Sequence, residues 1–454
     1  TYTGTGWYGK SFRAPEGWRG ASVWLSFGGV HPAAELWLNG TRLGAHSGPF
    51  VPFAFEVGGL VRFGAGNFLA VRVHERDRFL GLAYNWPGSW SGLYRSVELV
   101  ATGPGHIEQM WIHPDVDAGC LRFRVRTKGA RGRPCSLSIR VCGPQGNVVA
   151  EAVRELGTYE DQFALAVPSP ALWSPDAPNL YRVDAVLMQG AQAVDARSER
   201  VGFLKLSTRG KHFLVNDQPF YMRGSGDFVA NPETGSPDTS RERWRRKLAA
   251  LRAYGYNYVR CQSYAPAPEY YDVADEVGLL VQGEMGMLGA WGGHSPWHRY
   301  DWPPPTPAYR EALKWQWNMV VMRDANHPSA AIYCMSNELG SRTMFPETAW
   351  QCARDTKAIK PGALVIWTDG GFSPELPQDF VNAEAGVDGQ TDLPVIQHEF
   401  RWWSAYPDVR IKRKYDGAVR PYAIEIAQQA AKRHGLQGQL SQMARASQRL
   451  QYVE

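Results

Sequence analysis

Arg241-Glu242-Arg243-Trp244-Arg245-Arg246-Lys247-Leu248-Ala249-Ala250-Leu251-Arg252-Ala253-Tyr254-Gly255-Tyr256-Asn257-Tyr258-Val259-Arg260 decides the fold class. Up to Tyr254 it puts Trp244, Leu248 and Leu251 on one helical face. Ser240 is placed to cap the start, and Gly255 stands where a C-terminal glycine belongs. Tyr256 to Arg260 then reads as a strand. Working outward, strands are predicted at Phe220-Tyr221-Met222, Leu279-Leu280-Val281, Ala331–Met335, Leu364–Trp367, Asp379-Phe380-Val381 and Pro394-Val395-Ile396, with helical segments such as Pro268–Val277 and Pro307–Arg323 between them. Repeated strand–helix units predict a parallel sheet, and this many predict a (β/α)8-type barrel. Helical stretches at Tyr422–Arg433 and Gln439–Tyr452 follow the seventh strand, so the chain is expected to be truncated before the barrel's last strand.

Before residue 206 the style is different: short strands punctuated by Gly, Pro, Asn and Asp. Val23-Trp24-Leu25-Ser26-Phe27 is one, and Glu35-Leu36-Trp37-Leu38 runs into Asn39-Gly40, the strongest short hairpin signal. Phe68–Val73 and Leu121–Val125 continue the pattern, and Ala101-Thr102-Gly103-Pro104-Gly105 marks a boundary. Two β-sandwiches are predicted, at 1–103 and 104–205, ahead of a barrel at 206–454.

The length of 454 residues fits roughly three domains. With 44% apolar and 20% charged residues, the composition is that of a globular protein and excludes disorder. A net charge of +5 without a basic block argues against nucleic acid as partner. No window approaches the ~18 apolar residues of a membrane span. The six cysteines have no paired CxxC spacing, which argues against a zinc site. Aromatics reach 12%, with 18 Trp; such faces suit sugar rings and equally fill sandwich cores. The chain opens at Thr1 with neither Met nor a basic-then-apolar leader, so its native N-terminus is expected upstream. Compartment and oligomeric state have no signal.

Barrel chemistry sits at the C-terminal ends of the strands. Those positions hold Asp227, Arg260, Glu284, Asn337-Glu338, Asp369 and His398-Glu399. Glu338 and Glu399 each follow an apolar β-rich run directly. Hydrolysis of a glycosidic bond needs two carboxyl groups, one to protonate the leaving oxygen and one to attack the anomeric carbon or activate water. Arg260 nearby would keep the second ionised. A single Glu at a strand end is more commonly a solvated or salt-bridged loop residue, so spacing alone leaves both readings open. No His pair at ligand spacing marks a metal site, and no cofactor is called for.

Arg323-Asp324-Ala325-Asn326-His327-Pro328-Ser329 followed by Ser336-Asn337-Glu338 resembles the acid/base signature of glycoside hydrolase family 2, which holds β-galactosidases, β-glucuronidases and β-mannosidases. Trp37-Leu38-Asn39-Gly40 with Gly44, His46, Gly48, Pro52 and Phe53, and then Ser91-Gly92-Leu93-Tyr94-Arg95, are similar to that family's jelly-roll sugar-binding domain. Leu172-Trp173-Ser174-Pro175, Leu180-Tyr181 and Val201-Gly202-Phe203 resemble its immunoglobulin-like second domain. Asn257–Arg260 and Tyr271–Leu279 look like strand two and the helix leading to strand three of its barrel.

The resemblance implies an exo-acting, retaining hydrolase of terminal β-glycosides, with an oligosaccharide or glycoside as its partner. Glu338 would be the acid/base and Glu399 the nucleophile, about 5–5.5 Å apart. Asn337 would bind the sugar 2-hydroxyl and Arg260 would orient the nucleophile. Asp227, Glu284, Trp367 and Trp402 stand with them as candidate substrate contacts. Gly224-Ser225-Gly226-Asp227 and Cys261-Gln262-Ser263-Tyr264 depart from the family's sugar-selecting patterns. A β-galactoside is the favoured substrate, with β-mannoside, β-glucuronide, furanoside and arabinoside as alternatives. The rival class is a carbohydrate-binding protein without turnover.

Overall fold

The computed structural model describes residues 4–74, 91–103, 105–129, 135–228, 231, 236–285, 306–337, 346–383, 389–397, 399, 406–415 and 420–453. Its N-terminal part is a jelly-roll sandwich. One sheet runs Thr5–Arg13, Gly66–His74, Ala33–Leu38, Thr41–Ser47, and the facing sheet runs Phe53–Glu56, Ser22–Phe27, Val97–Thr102. Alternation drives the packing: in Ser22–Phe27 every second residue is buried, putting Val23, Leu25 and Phe27 opposite Leu36, Leu38, Val71 and Val73. The hairpin expected at Asn39-Gly40 is present, Leu38 pairing with Thr41. Both turn residues have positive φ, 53° and 86°, as a twist-compatible two-residue turn requires.

The immunoglobulin-like sandwich sets His106–Asp115, Cys120–Lys128 and Glu160–Ala166 against Val148–Leu156, Cys135–Cys142, Tyr181–Gln189 and Gln192–Val201. Its Trp173 leaves that core. The indole is fully buried with Leu206, Phe213, Tyr258, Leu280, Ile332 and Leu364, where it floors the barrel, and its Nε1 donates to the Asp275 carbonyl at 3.0 Å.

Five parallel strands follow in order: β1 (Gly224–Asp227), β2 (Tyr258–Cys261), β3 (Leu280–Glu284), β4 (Ile332–Asn337) and β5 (Leu364–Asp369). Another parallel pair, β6 (Val381–Ala383) and β7 (Val395–Gln397), adjoins β5. Helices α1 (Arg241–Ala253), α2 (Pro268–Val277), α3 (Pro307–Asp324) and α4 (Pro346–Ile359) cover the outside. The Ser240 side chain caps α1 by accepting from the Arg243 amide. After β7 come α5 (Tyr422–Arg433) and α6 (Leu440–Val453). No helix among the described residues is long and apolar enough to cross a membrane.

The first barrel strand differs from the sequence reading. Gln218–Phe220 closes a small antiparallel sheet with His212–Val215 and Leu206–Arg209 beneath the barrel, and the parallel strand begins at Gly224. Gly-Ser-Gly-Asp has little β-propensity of its own. It is held by the β2 register, and Gly224 is needed there because a Cβ would come within 2.4 Å of the Tyr258 ring.

Candidate active site

Alternation along β2 divides its four residues. Val259 and Cys261 join the helix-facing core, while Tyr258 belongs to the floor and Arg260 reaches the mouth. Arg260 is the hub. Its Nε donates to Glu284 Oε1 at 2.8 Å and lies 3.0 Å from Asp369 Oδ2; Nη1 donates to Glu399 Oε1 at 3.0 Å, and Nη2 to Asn337 Oδ1. The ends of β3, β4 and β5 and the turn after β7 therefore converge on one guanidinium, carried by β2.

Below it lies a buried polar ladder. Tyr258 donates its hydroxyl to Gln282 Oε1 at 2.6 Å, and Gln282 Nε2 donates to Glu284 Oε1 at 2.9 Å and Asp369 Oδ2 at 2.6 Å. Asn382 on β6 donates to the same Asp369 oxygen at 2.5 Å. The Ser263 amide reaches Glu284 Oε2 at 2.7 Å from a left-handed φ of 58°, a conformation that costs energy in a non-glycine residue and aims the N–H inward. Buried charge at this density persists because each group is hydrogen-bonded.

The electrostatics follow from the geometry. Burial opposes the charge of Arg260, but Glu284 and Asp369 outweigh it and hold the guanidinium protonated well beyond the ordinary arginine range. Burial pushes the Glu284 carboxyl up, with Arg260 pulling the other way and Asp369 adding to the rise. Burial, reinforced by Asp369, keeps Tyr258 a protonated donor. Glu284 and Asp369 have side chains with no exposure, whereas Glu399 is 28% exposed. Glu399 is thus the carboxylate of the three that a substrate can reach. Gln262 Nε2 also donates to its Oε1, at 3.2 Å, and its backbone has a positive φ of 44°.

Of the residues singled out from the sequence, Arg260, Asn337 and Glu399 are brought together. Glu338 follows Asn337 directly but lies outside the described residues, as do Trp402, Trp403 and His398. Three substrate contacts need correction. Glu284 sits under Arg260 with both oxygens occupied by protein donors and no exposed surface, so it braces the site from below. Asp227 pairs in register with Cys261 and so turns to the helix side, where Lys247 and the Tyr270 hydroxyl, at 2.7 Å, bind it. Trp367 alternates outward from Ile366 and Leu364 and packs in the core that includes Leu313 and Trp317, 2% exposed. Gln262, Gln282 and Asn382 were not singled out by sequence reasoning. A lone Gln inside the apolar run of β3 was the available signal.

The signature Arg323-Asp324-Ala325-Asn326-His327 fastens domains. Arg323 donates to the Phe50 carbonyl of the jelly roll and to Pro266 O at 2.6 Å, while Asn326 exchanges hydrogen bonds with Ile112 N at 2.8 Å and Met110 O at 2.9 Å. His327 Nδ1 is 2.7 Å from Asp275 Oδ2. Asp272, Asp275 and His327 form a group of metal-ligand type among the described residues, but Arg200 and Arg241 hold Asp272, and Asp275 accepts from the Ser329 amide. That group joins domains and lies away from Arg260's cluster.

Comparison with known proteins agrees with the architecture. Residues 1–103 match the description "Glycosyl hydrolases family 2, sugar binding domain", 105–203 match "Glycosyl hydrolases family 2", and 206–452 match "Glycosyl hydrolases family 2, TIM barrel domain". A Formosa agariphila relative with a provisional beta-glucuronidase name is 27% identical over 82% of this chain and 34% of its own length. A beta-galactosidase of Aeromonas hydrophila is 28% identical over 74% of this chain and 33% of its own. The chain therefore spans about a third of the length of the curated relatives it matches. Among solved structures, a glycosyl hydrolase family 2 member from Bacteroides cellulosilyticus superposes with TM-score 0.73 at 22% identity, covering 91% of this chain and 57% of that one. Bacteroides uniformis beta-glucuronidase gives 0.69 at 22% identity, covering 80% and 46%. With one family's domain descriptions running in order from the jelly roll through the barrel, the chain belongs to family 2 of the glycosyl hydrolases.

Proposed function

We propose that the protein hydrolyses terminal β-glycosidic bonds, acting from the chain end and retaining anomeric configuration. The observation that carries this reading is the partly exposed Glu399 carboxylate held by Arg260 and Gln262 beside Asn337. In the first step a Glu399 oxygen attacks the anomeric carbon while Glu338 gives its proton to the departing glycosidic oxygen, leaving a glycosyl ester on Glu399. In the second, Glu338 takes a proton from water, which attacks the same carbon and frees Glu399. Asn337 binds the sugar 2-hydroxyl, a contact that strengthens as positive charge develops at the ring.

Arg260 does two things in this scheme. Its Nη1 holds Glu399 by a charge-assisted hydrogen bond, and its links to Glu284 and Asp369 fix the carboxylate's direction before substrate arrives. The sugar assigned is β-galactose, supported by the name of the Aeromonas hydrophila relative. The domain limits proposed are 1–103, 104–205 and 206–454.

Release of nitrophenol from β-galactoside, β-glucuronide, β-mannoside and α-arabinoside tests the reading, with Glu399→Ala alongside and the product anomer followed by proton NMR. Turnover of the galactoside with retained configuration, lost in the variant, is expected. Inversion, or a rate that survives Glu399→Ala, would overturn it.

A further inference from the structure

A cavity of about 560 Å³ opens between the jelly roll and the barrel, within the roughly 300–1,000 Å³ of ordinary ligand sites, and the Arg260 cluster does not line it. Its walls come from the jelly roll (Phe50, Tyr94, Arg95), from Phe228 just beyond β1, from α1, and from the segment joining β2 to α2. It thus stands at the C-terminal ends of β1 and β2, on the face where barrel chemistry takes place. Tyr264 lines it, and Gln262, two positions earlier, donates to Glu399. Two residues of chain span at most about 7 Å. The segment that ends β2 therefore serves Glu399 and the cavity wall together, at backbones no more than about 7 Å apart.

The wall chemistry defines the ligand. Among the described residues every lining cation is answered by a carboxylate: Arg95 by Glu269 at 2.6 Å, Arg241 by Asp272 at 3.2 Å, Arg243 by Asp238 at 3.9 Å, and Lys247 by Asp227. An acidic ligand would have to break such a pair and then face the freed carboxylate. Paired ions instead offer donors and acceptors side by side without net charge, which is what sugar hydroxyls need. Phe228, 54% exposed, adds an aromatic face for the C–H side of a ring.

We propose that this cavity binds the part of a neutral oligosaccharide that lies beyond the sugar being cleaved; the placement of that chain rests on the glycosidase reading above. The test is calorimetric titration of the full chain carrying Glu399→Gln with neutral β-1,4-linked tetrasaccharides of galactose, glucose, mannose and xylose, and with tetragalacturonate as the acidic probe. Phe228→Ala removes the exposed aromatic face. Ser96→Trp fills the cavity from the jelly-roll side, at an exposed position. At least one neutral chain is expected to bind, about tenfold more weakly in either variant and in preference to the acidic probe. Hydrolysis of aryl monosides by the same two variants, with Glu399 intact, is expected to stay within about twofold of the parent, since one ring does not reach the cavity. No neutral binding, equal binding in parent and both variants, or binding of tetragalacturonate as tight as that of the neutral chains would overturn the proposal. Tetrasaccharide binding that depends on Phe228 in a protein inert on every monoside would separate the two readings, sinking catalysis and keeping the cavity as a glycan site.

Discussion

Nη1 of Arg260 lies 3.0 Å from Oε1 of Glu399, joining positions 139 residues apart, while Nε of the same guanidinium is 2.8 Å from Glu284 Oε1. The exposed carboxylate is thereby coupled to a buried one through a single planar group. A lysine at 260 would keep the charge but lose the fork, since an ammonium cannot meet Glu284, Asn337 and Glu399 together. Arg260→Lys is expected to lower kcat by about 10²–10³, the range for loss of one preorganised electrostatic contact. Steady-state rates on the best aryl glycoside, with thermal unfolding as a control for folding, check this. An unchanged kcat would remove Arg260 from the mechanism.

Gln262 contributes a neutral donor to the same Glu399 oxygen at 3.2 Å. Hydrogen bonds to charged groups are worth about 1.5–3 kcal/mol. Gln262→Ala is therefore expected to reduce kcat by about 10- to 100-fold with little change in KM, because the contact is to the nucleophile and not to the sugar. A rise in KM at constant kcat would instead make Gln262 a substrate contact.

The sequence exposed the architecture because periodicity is a property of the backbone. Helix–strand units begin at Gly224, after the small antiparallel sheet of residues 206–220, and Ser240, Gly255 and Asn39-Gly40 punctuate the elements as the sequence predicts. Side-chain direction at strand ends was less legible. Asp227, Glu284 and Trp367 all stand at or near the end of a barrel strand, yet register turns Asp227 toward Lys247, alternation turns Trp367 into the helix layer, and Arg260 covers Glu284. Polar residue type at a strand end predicts proximity to the mouth, whereas contact with substrate depends on pairing with neighbours distant in sequence. The ladder of Tyr258, Gln282 and Asn382 is invisible for the same reason, since its members come from three separate strands.

Trp173 ties the immunoglobulin-like domain to the barrel floor through a fully buried ring and one hydrogen bond to Asp275 O. Trp173→Ala leaves a cavity among Leu206, Phe213 and Ile332 and is expected to cost about 3–5 kcal/mol. Trp173→Phe keeps most of the packing and loses the donor, for about 1–3 kcal/mol. Urea unfolding followed by tryptophan fluorescence and by far-UV circular dichroism would measure both. Equal losses for the two variants would mean that the hydrogen bond, and not the packing, dominates the joint.

His327 makes the stability of the domain junction depend on pH. Burial lowers its pKa, but Asp275 at 2.7 Å, itself 1% exposed, more than reverses this, so the folded value lies above the ordinary 6.5. The folded state then holds the proton more tightly than the unfolded state. The stabilisation is complete below pH 6.5 and is lost as pH rises through the folded value. His327→Gln cannot take up this proton, so the gap in melting temperature between wild type and variant is expected to be widest near pH 6 and to narrow as pH climbs toward 8. Lys360 sets the upper limit of that window. Its ammonium donates to the His327 carbonyl at 2.5 Å, and burial brings its pKa down from 10.5 to about 8. Above pH 8 the unfolded state binds this proton more readily, so the Lys360 contribution rises with pH and opposes the histidine trend. Melting curves of both proteins from pH 5.5 to 8 isolate His327. A gap that stays constant across that range would show that the His327–Asp275 contact does not gain strength from the imidazolium charge.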